Sequence, residues 1–165
     1  VDLYLVRHAV AFEEDPARWP DDSRRPLTPR GERDFRPAAR GIGRLVPSVE
    51  VVLSSPFPRA WSTAEILGQE AGWPEPVAAP GLEKDRTPAD AIKAIEEHAA
   101  RSSMAVVGHE PNLTELASTL LGTDRVSIEL EKGGAMALDG GPAILPGSAV
   151  LRWLVTPEVL RSLEG

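Results

Sequence analysis

The chain has 165 residues, a formal net charge of −7 and no cysteine. That length suits one domain with a core large enough to fold alone. The acidic balance excludes non-specific binding to nucleic acid or anionic membrane, so any cationic pocket must be local. Absence of cysteine excludes disulfides and thiolate metal sites. No apolar run approaches the roughly 20 residues of a membrane span. No signal-peptide pattern precedes the first strand, and the expected location is the cytoplasm.

Residues 2–7 read as a buried strand, closed by Arg7-His8. A long irregular segment follows, Ala9–Arg25, with Phe12-Glu13-Glu14-Asp15 and Trp19-Pro20-Asp21-Asp22. Loops this long in compact domains are usually functional or mobile. Its position directly after His8 places it beside any site there. The plainer reading is a solvated acidic loop pinned by Trp19. Thr28 as N-cap and Pro29 as first helical residue open a helix. Its apolar stripe is Phe35, Ala38, Ala39, Ile42, Leu45 and Val46. Pro37 inside the stripe should kink this helix or delay its start.

Val49–Leu53 reads as a second strand, and Ala60, Ala64, Leu67 and Ala71 as a second helical stripe. Thr87-Pro88-Ala89-Asp90 resembles a capping box, opening a helix that ends near Ala100. Met104–Val107 is a third strand. Leu113, Leu116, Ala117, Leu120 and Leu121 form a fourth helical stripe. Beyond the turn signals Gly133-Gly134 and Asp139-Gly140-Gly141-Pro142, two strands are expected near Ala135–Leu138 and Ser148–Val155. A short helix then starts at Pro157. Alternating strands and helices predict an α/β protein: a three-layer α/β/α sandwich around a mostly parallel sheet, in a single domain, 1–165.

Ligands in such sheets bind beyond the carboxyl ends of the strands. His8 falls there. So do Arg59, in Leu53-Ser54-Ser55-Pro56-Phe57-Pro58-Arg59-Ala60, and His109, in Val106-Val107-Gly108-His109-Glu110-Pro111. Two histidines and two arginines at strand ends suit a phosphoryl group. Neutral imidazole is available as a nucleophile near pH 7. Arg7 and Arg59 offer forked donors to phosphoryl oxygens, and a protonated His109 would add a third cation. Pro56 and Pro111 look like first-turn residues, so two helix N-termini are expected to face the anion. Arg24 and Arg25 flank the entrance loop. Either steers an anionic substrate or pairs with Asp21 or Asp22 on the surface.

Several of these segments resemble a known family. Leu5-Val6-Arg7-His8-Ala9 looks like the signature of the histidine phosphatase superfamily, with its phosphoglycerate-mutase-like fold. Arg25-Pro26-Leu27-Thr28-Pro29-Arg30-Gly31 and Val107-Gly108-His109-Glu110-Pro111-Asn112-Leu113 resemble segments of its SixA branch. Ser54 to Ala64 is similar to the family's second arginine motif. The resemblance implies that His8 is the nucleophile and that Arg7, Arg59 and His109 hold the phosphoryl oxygens. It implies no metal and no organic cofactor. Many larger members carry an acid that protonates the leaving group. Here the nearest candidates are Glu83 and Asp85, for which a solvated loop carboxylate is the plainer reading.

The expected activity is metal-independent hydrolysis through phospho-His8, with phosphohistidine on a protein as substrate. The short chain, without large insertions, predicts an open-sided site that a protein side chain can enter. A small-molecule phosphomonoesterase acting on a sugar phosphate or nucleotide stays open, as does a non-catalytic phospho-ligand binder. The expected partners are a phosphorylated protein or a small phosphorylated metabolite, with no nucleic acid and no membrane. A monomer is expected, since no amphipathic stripe is left for a partner.

Overall fold

A computed structural model describes residues 1–163, and the last two residues of the single-domain span expected above lie outside the described residues. Six strands form one sheet: β1 (Asp2–Arg7), β2 (Val51–Ser54), β3 (Val77–Ala78), β4 (Ser103–Gly108), β5 (Ala135–Asp139) and β6 (Val150–Val155). Their order across the sheet is β3-β2-β4-β1-β5-β6. The pairings from β3 through β1 are parallel, and β5 and β6 add antiparallel at one side. Five helices complete the fold: α1 (Pro29–Leu45), α2 (Pro58–Ala71), α3 (Pro88–Glu96), α4 (Asn112–Leu121) and α5 (Pro157–Ser162).

Alternation along the strands makes the three layers. On β1, Leu3 and Leu5 face a core shared with Ile95 of α3 and Leu113, Leu116 and Leu120 of α4. Val6 faces the opposite core, with Phe35 and Ile42 of α1, Leu67 of α2 and Leu160 of α5. Side chains on a strand alternate between faces, so one buried strand feeds both cores. No helix among the described residues is long and apolar enough to cross a membrane.

The helix starts follow local chemistry. The Thr28 side chain accepts from the Gly31 backbone N–H, with Pro29 in the first turn. Thr87 and Asp90 form a reciprocal capping box. α1 runs from Pro29 through Pro37 to Leu45, so Pro37 does not delay its start. α2 starts at Pro58 and not at Pro56. A residue before proline is driven to extended geometry; Phe57, at φ −62° and ψ 133°, obeys and becomes the N-cap. α4 likewise begins after Pro111, at Asn112. α3 ends at Glu96, short of Ala100. The two-residue β3 and the 3-10 turns Asp22–Arg24 and Pro80–Leu82 carry no periodic signal and were not foreseen.

Candidate active site

Three neighbouring strands, β2, β4 and β1, bring the predicted residues to one end of the sheet. β1 continues its ladder for one residue, because the His8 N–H donates to the Gly108 carbonyl at 3.0 Å. That bond sets His8 beside His109, with ring centroids 5.4 Å apart. Ser55 follows β2 and is tied to β4 by its N–H to the Val107 carbonyl at 3.0 Å. Thr63 of α2 then crosses to the strand that carries His8. Its hydroxyl accepts from the Ala9 N–H at 3.0 Å and donates to the Arg59 carbonyl at 2.7 Å.

His8 is only 6% exposed. Its Nδ1 lies 2.7 Å from the Ala9 carbonyl oxygen. A carbonyl only accepts, so Nδ1 carries the hydrogen and Nε2 keeps its lone pair. The His8 pKa is lowered to about 3, first by burial and then by Arg59, Arg7 and Lys132, against the opposing Ala9 hydrogen bond. The ring is therefore neutral near pH 7, with Nε2 as the available nucleophile.

His109 is held the same way from the other side. Its Nε2 is 2.8 Å from Ser55 Oγ. That oxygen already accepts from the Phe57 N–H at 3.2 Å. The Ser55 hydroxyl hydrogen is available to Nε2, and in that tautomer the hydrogen of His109 lies on Nδ1. This Nδ1 is buried without a partner. The His109 pKa is lowered to about 2, mainly by burial, with His8, Arg59 and Lys84 adding to it. The cation envisaged at this position is thus a neutral ring, with Nδ1 as its free donor in that tautomer. A bound dianion would oppose both causes.

Arg59 is fully buried, although it lies in the first turn of a helix. Both of its terminal nitrogens donate to Asp22: Nη1 to the backbone carbonyl at 2.8 Å and Nη2 to Oδ2 at 3.2 Å. Its Nε–H is buried and unpartnered. Phe57 links the two sides of the site, lying 5.2 Å from the His109 ring centroid and 5.4 Å from the Arg59 guanidinium carbon. Arg7 donates from Nη1 to the Leu130 carbonyl at 2.9 Å, and its Nε is also buried without a partner.

A cavity of about 270 Å³ beside His8 is lined by Arg7, Phe12, Arg25, Lys84, His109 and Lys132, with Glu13, Glu14 and Glu110. Four cations in one small cavity contrast with a chain of net charge −7. Arg25 was read as an entrance residue; it is 7% exposed and enters this wall. Its Nε donates to Asp22 Oδ1 at 2.8 Å, and its Nη1 holds the Phe12 carbonyl. The loop Ala9–Arg25 is accordingly one wall of the cavity. Ala11 bridges Leu27, and the Arg18 guanidinium stacks on Phe12 at 4.4 Å and Trp19 at 5.0 Å. Gly31 lets α1 approach this loop, since a Cβ there would lie 2.0 Å from the Val10 carbonyl oxygen.

Other expected parts stand elsewhere. Glu83 does not line the cavity; its neighbour Lys84 does. The Glu83 carbonyl accepts from Asn112 at 3.3 Å, which fixes that loop against α4. The helix N-termini also differ from expectation. The N–H groups of Ala60 and Trp61 bond to Phe57, that of Leu113 to His109, and that of Thr114 to the Glu110 carboxylate. These four backbone donors are occupied within their own helix starts.

Comparison with known proteins bears on the family and the fold. The family model of the Histidine phosphatase superfamily (branch 1) matches residues 3–84. An uncharacterized protein of Picosynechococcus sp. is 33% identical over 146 residues, covering 87% of each chain. The structure of the protein histidine phosphatase SixA complexed with tungstate superposes with a TM-score of 0.81 at 22% identity, over 97% of this chain and 99% of that one. A mycobacterial glucosyl-3-phosphoglycerate phosphatase, in complex with inorganic phosphate, superposes with a TM-score of 0.70 at 14% identity, over 95% and 98%. At these identities the two structures show the shared fold.

Proposed function

Because this chain belongs to the histidine phosphatase superfamily, we propose that it hydrolyses phosphohistidine on a protein through a covalent intermediate on His8. One observation carries the reading. Among the buried polar side-chain atoms without a partner are Arg7 Nε, Arg59 Nε and His109 Nδ1. Buried donors are ordinarily satisfied, and leaving one unpaired costs about 1–3 kcal/mol. Three such donors beside a neutral His8 suit an anion with several oxygens.

In the first step, His8 Nε2 attacks phosphorus and the bond to the leaving group breaks. Arg7, Arg59 and His109 hold the non-bridging oxygens, and the leaving group takes up a proton. In the second step, water attacks phosphorus, the Nε2–P bond breaks, and inorganic phosphate leaves with His8 restored. Charge is spread over the non-bridging oxygens throughout, so pre-aimed donors carry most of the catalysis.

The state of Asp22 favours phosphohistidine as the substrate. Its carboxyl is held below the usual carboxylate range, first by its bond to Arg25, which makes it a poor proton donor to an alkoxide. An imidazole leaves more readily and needs less help. A small phosphate ester is the second reading. It is favoured by the packed loop wall and by an adjoining cavity of about 460 Å³ that shares Arg7 and Lys132.

The test is release of inorganic phosphate, with EDTA present, from a phosphohistidine-bearing phosphotransfer protein and from a panel of sugar phosphates and nucleotides. Release from the phosphoprotein, lost in His8→Ala, is the expected result. His8-dependent release from an ester alone moves the substrate to the second reading. Turnover unchanged in His8→Ala removes the mechanism.

A further inference from the structure

We infer that Asp22 is a positioning residue, a bridge that turns Arg59 so that its Nε edge, and not its terminal nitrogens, meets the phosphoryl group. The inference rests on the phosphatase reading above and adds a residue to it. Asp22 sits in a 3-10 turn, 37 positions before Arg59 in sequence. It reaches the guanidinium twice, through its carbonyl and through Oδ2. Its other carboxylate oxygen holds Arg25, which lines the His8 cavity.

A guanidinium carries five N–H donors in a fixed plane. Contacts from both terminal nitrogens to one residue fix the orientation of that plane. The Nε–H, buried and unpartnered, is what remains directed elsewhere. The arrangement also solves an electrostatic problem. Arg25 and Arg59 are close enough to repel, and burial makes that repulsion costly. A single carboxylate between them holds both in place before any anion arrives.

Asp22 therefore has opposite effects on two kinds of anion. Its negative charge opposes ground-state phosphate. Its two contacts orient Arg59 for the transition state, where geometry matters most. Asp22→Asn removes the charge and weakens the double contact while keeping the side chain's shape. Asp21→Asn is the control. Asp21 caps the same turn, its Oδ1 accepting from the Ser23 N–H at 3.1 Å and the Ser23 hydroxyl at 2.6 Å, so Asp21→Asn removes the same charge from the turn while leaving the Asp22 contacts to Arg25 and Arg59 in place.

The experiment measures kcat, KM and the affinities of orthovanadate and inorganic phosphate, for the wild type and both variants, with thermal midpoints. Asp22→Asn is expected to lower kcat and vanadate affinity by about tenfold to a hundredfold. Phosphate affinity should stay level or rise, and Asp21→Asn should match the wild type. Overturning results are a loss of vanadate affinity under about fivefold in Asp22→Asn, a fall in phosphate affinity parallel to that of vanadate, or an equal loss in Asp21→Asn. If the wild type neither binds vanadate nor releases phosphate, the phosphatase reading itself fails and takes this inference with it. A wild type that does both isolates the role of Asp22.

Discussion

His8 and Asp22 serve the same group of guanidinium side chains but are anchored in different ways. His8 is the next rung of a parallel ladder, bonded through its backbone to Gly108 and tied through Ala9 to Thr63. Displacing it means breaking sheet bonds in the middle of the core. Asp22 belongs to a one-turn element on a surface loop, with 44% of its side chain exposed. Its backbone carbonyl accepts from the Arg25 N–H and from Arg59, and its carboxylate from the same two guanidinium groups. Local stability follows burial and backbone bonding, so the proposed nucleophile is fixed by the fold and the orienting carboxylate mainly by its arginine partners. Changes near His8 should therefore act on chemistry, and changes around the arginines on how the anion is oriented.

The largest effect is expected from His8→Ala. Turnover should fall by roughly a thousandfold or more, with the thermal midpoint close to that of the wild type because the lost side chain is a neutral ring at the core's edge. Retained turnover would place the nucleophile elsewhere. Arg59→Ala should come next, with vanadate affinity and kcat both lower by about a hundredfold. It should also loosen the loop, since Asp22 loses its buried partner; protease nicking within Ala9–Arg25 would report that. Unchanged affinity would remove Arg59 from the site.

A smaller effect belongs to Ser55→Ala. Without the hydroxyl, nothing fixes the hydrogen of His109 on Nδ1. We expect about a tenfold fall in kcat, in keeping with the loss of one oriented donor. Ser55→Thr, which keeps the hydroxyl, should restore most of it. Equal loss in both variants would point to packing and not to the hydrogen bond.

A separate effect should appear in the pH dependence of stability. Both histidines have folded pKa values far below the unfolded value, at about 3 and about 2. Below pH about 6.5 the unfolded chain binds protons that the folded one refuses. Stability should then fall steadily as pH drops from 6.5 toward 3. His109→Asn should flatten that slope, read as denaturation midpoint against pH. An identical slope in the variant would show that His109 does not contribute.

How legible these parts are in the sequence follows the range of the interactions that make them. The strand before Arg7-His8, the Thr28 and Thr87 caps and the stripe of α1 are set by near neighbours, and they appear in the structure where spacing puts them, except that Leu45 of that stripe is exposed. β2 and β4 are legible for the same reason, although each runs one residue past its expected end, to Ser54 and Gly108, and β2 starts at Val51 and not Val49. The start of α2 was misplaced because two prolines flank Phe57, and only the second fits the first turn. Arg25–Asp22 is a contact three residues apart and was weighed as a surface pair. Its meaning comes from Arg59, far away in the chain, and no periodicity encodes that. Ser55 and Thr63 lie inside the Ser54–Ala64 motif, but their hydroxyl partners, His109 and Ala9, follow other strands, β4 and β1. Glu83 drew attention by its charge, whereas the cavity takes Lys84 from the same turn.

The Thr63 hydroxyl has a consequence of a different kind. By joining Ala9 to the first turn of α2, it sets the spacing between His8 and Arg59 without using the loop between Ala9 and Asp22. A lineage can therefore lengthen, shorten or recolour residues 10–21 and try new substrates, while Asp22, Arg25 and the reacting atoms keep their places. Under selection, such a protein can change its clientele one loop residue at a time and remain a working enzyme at each step.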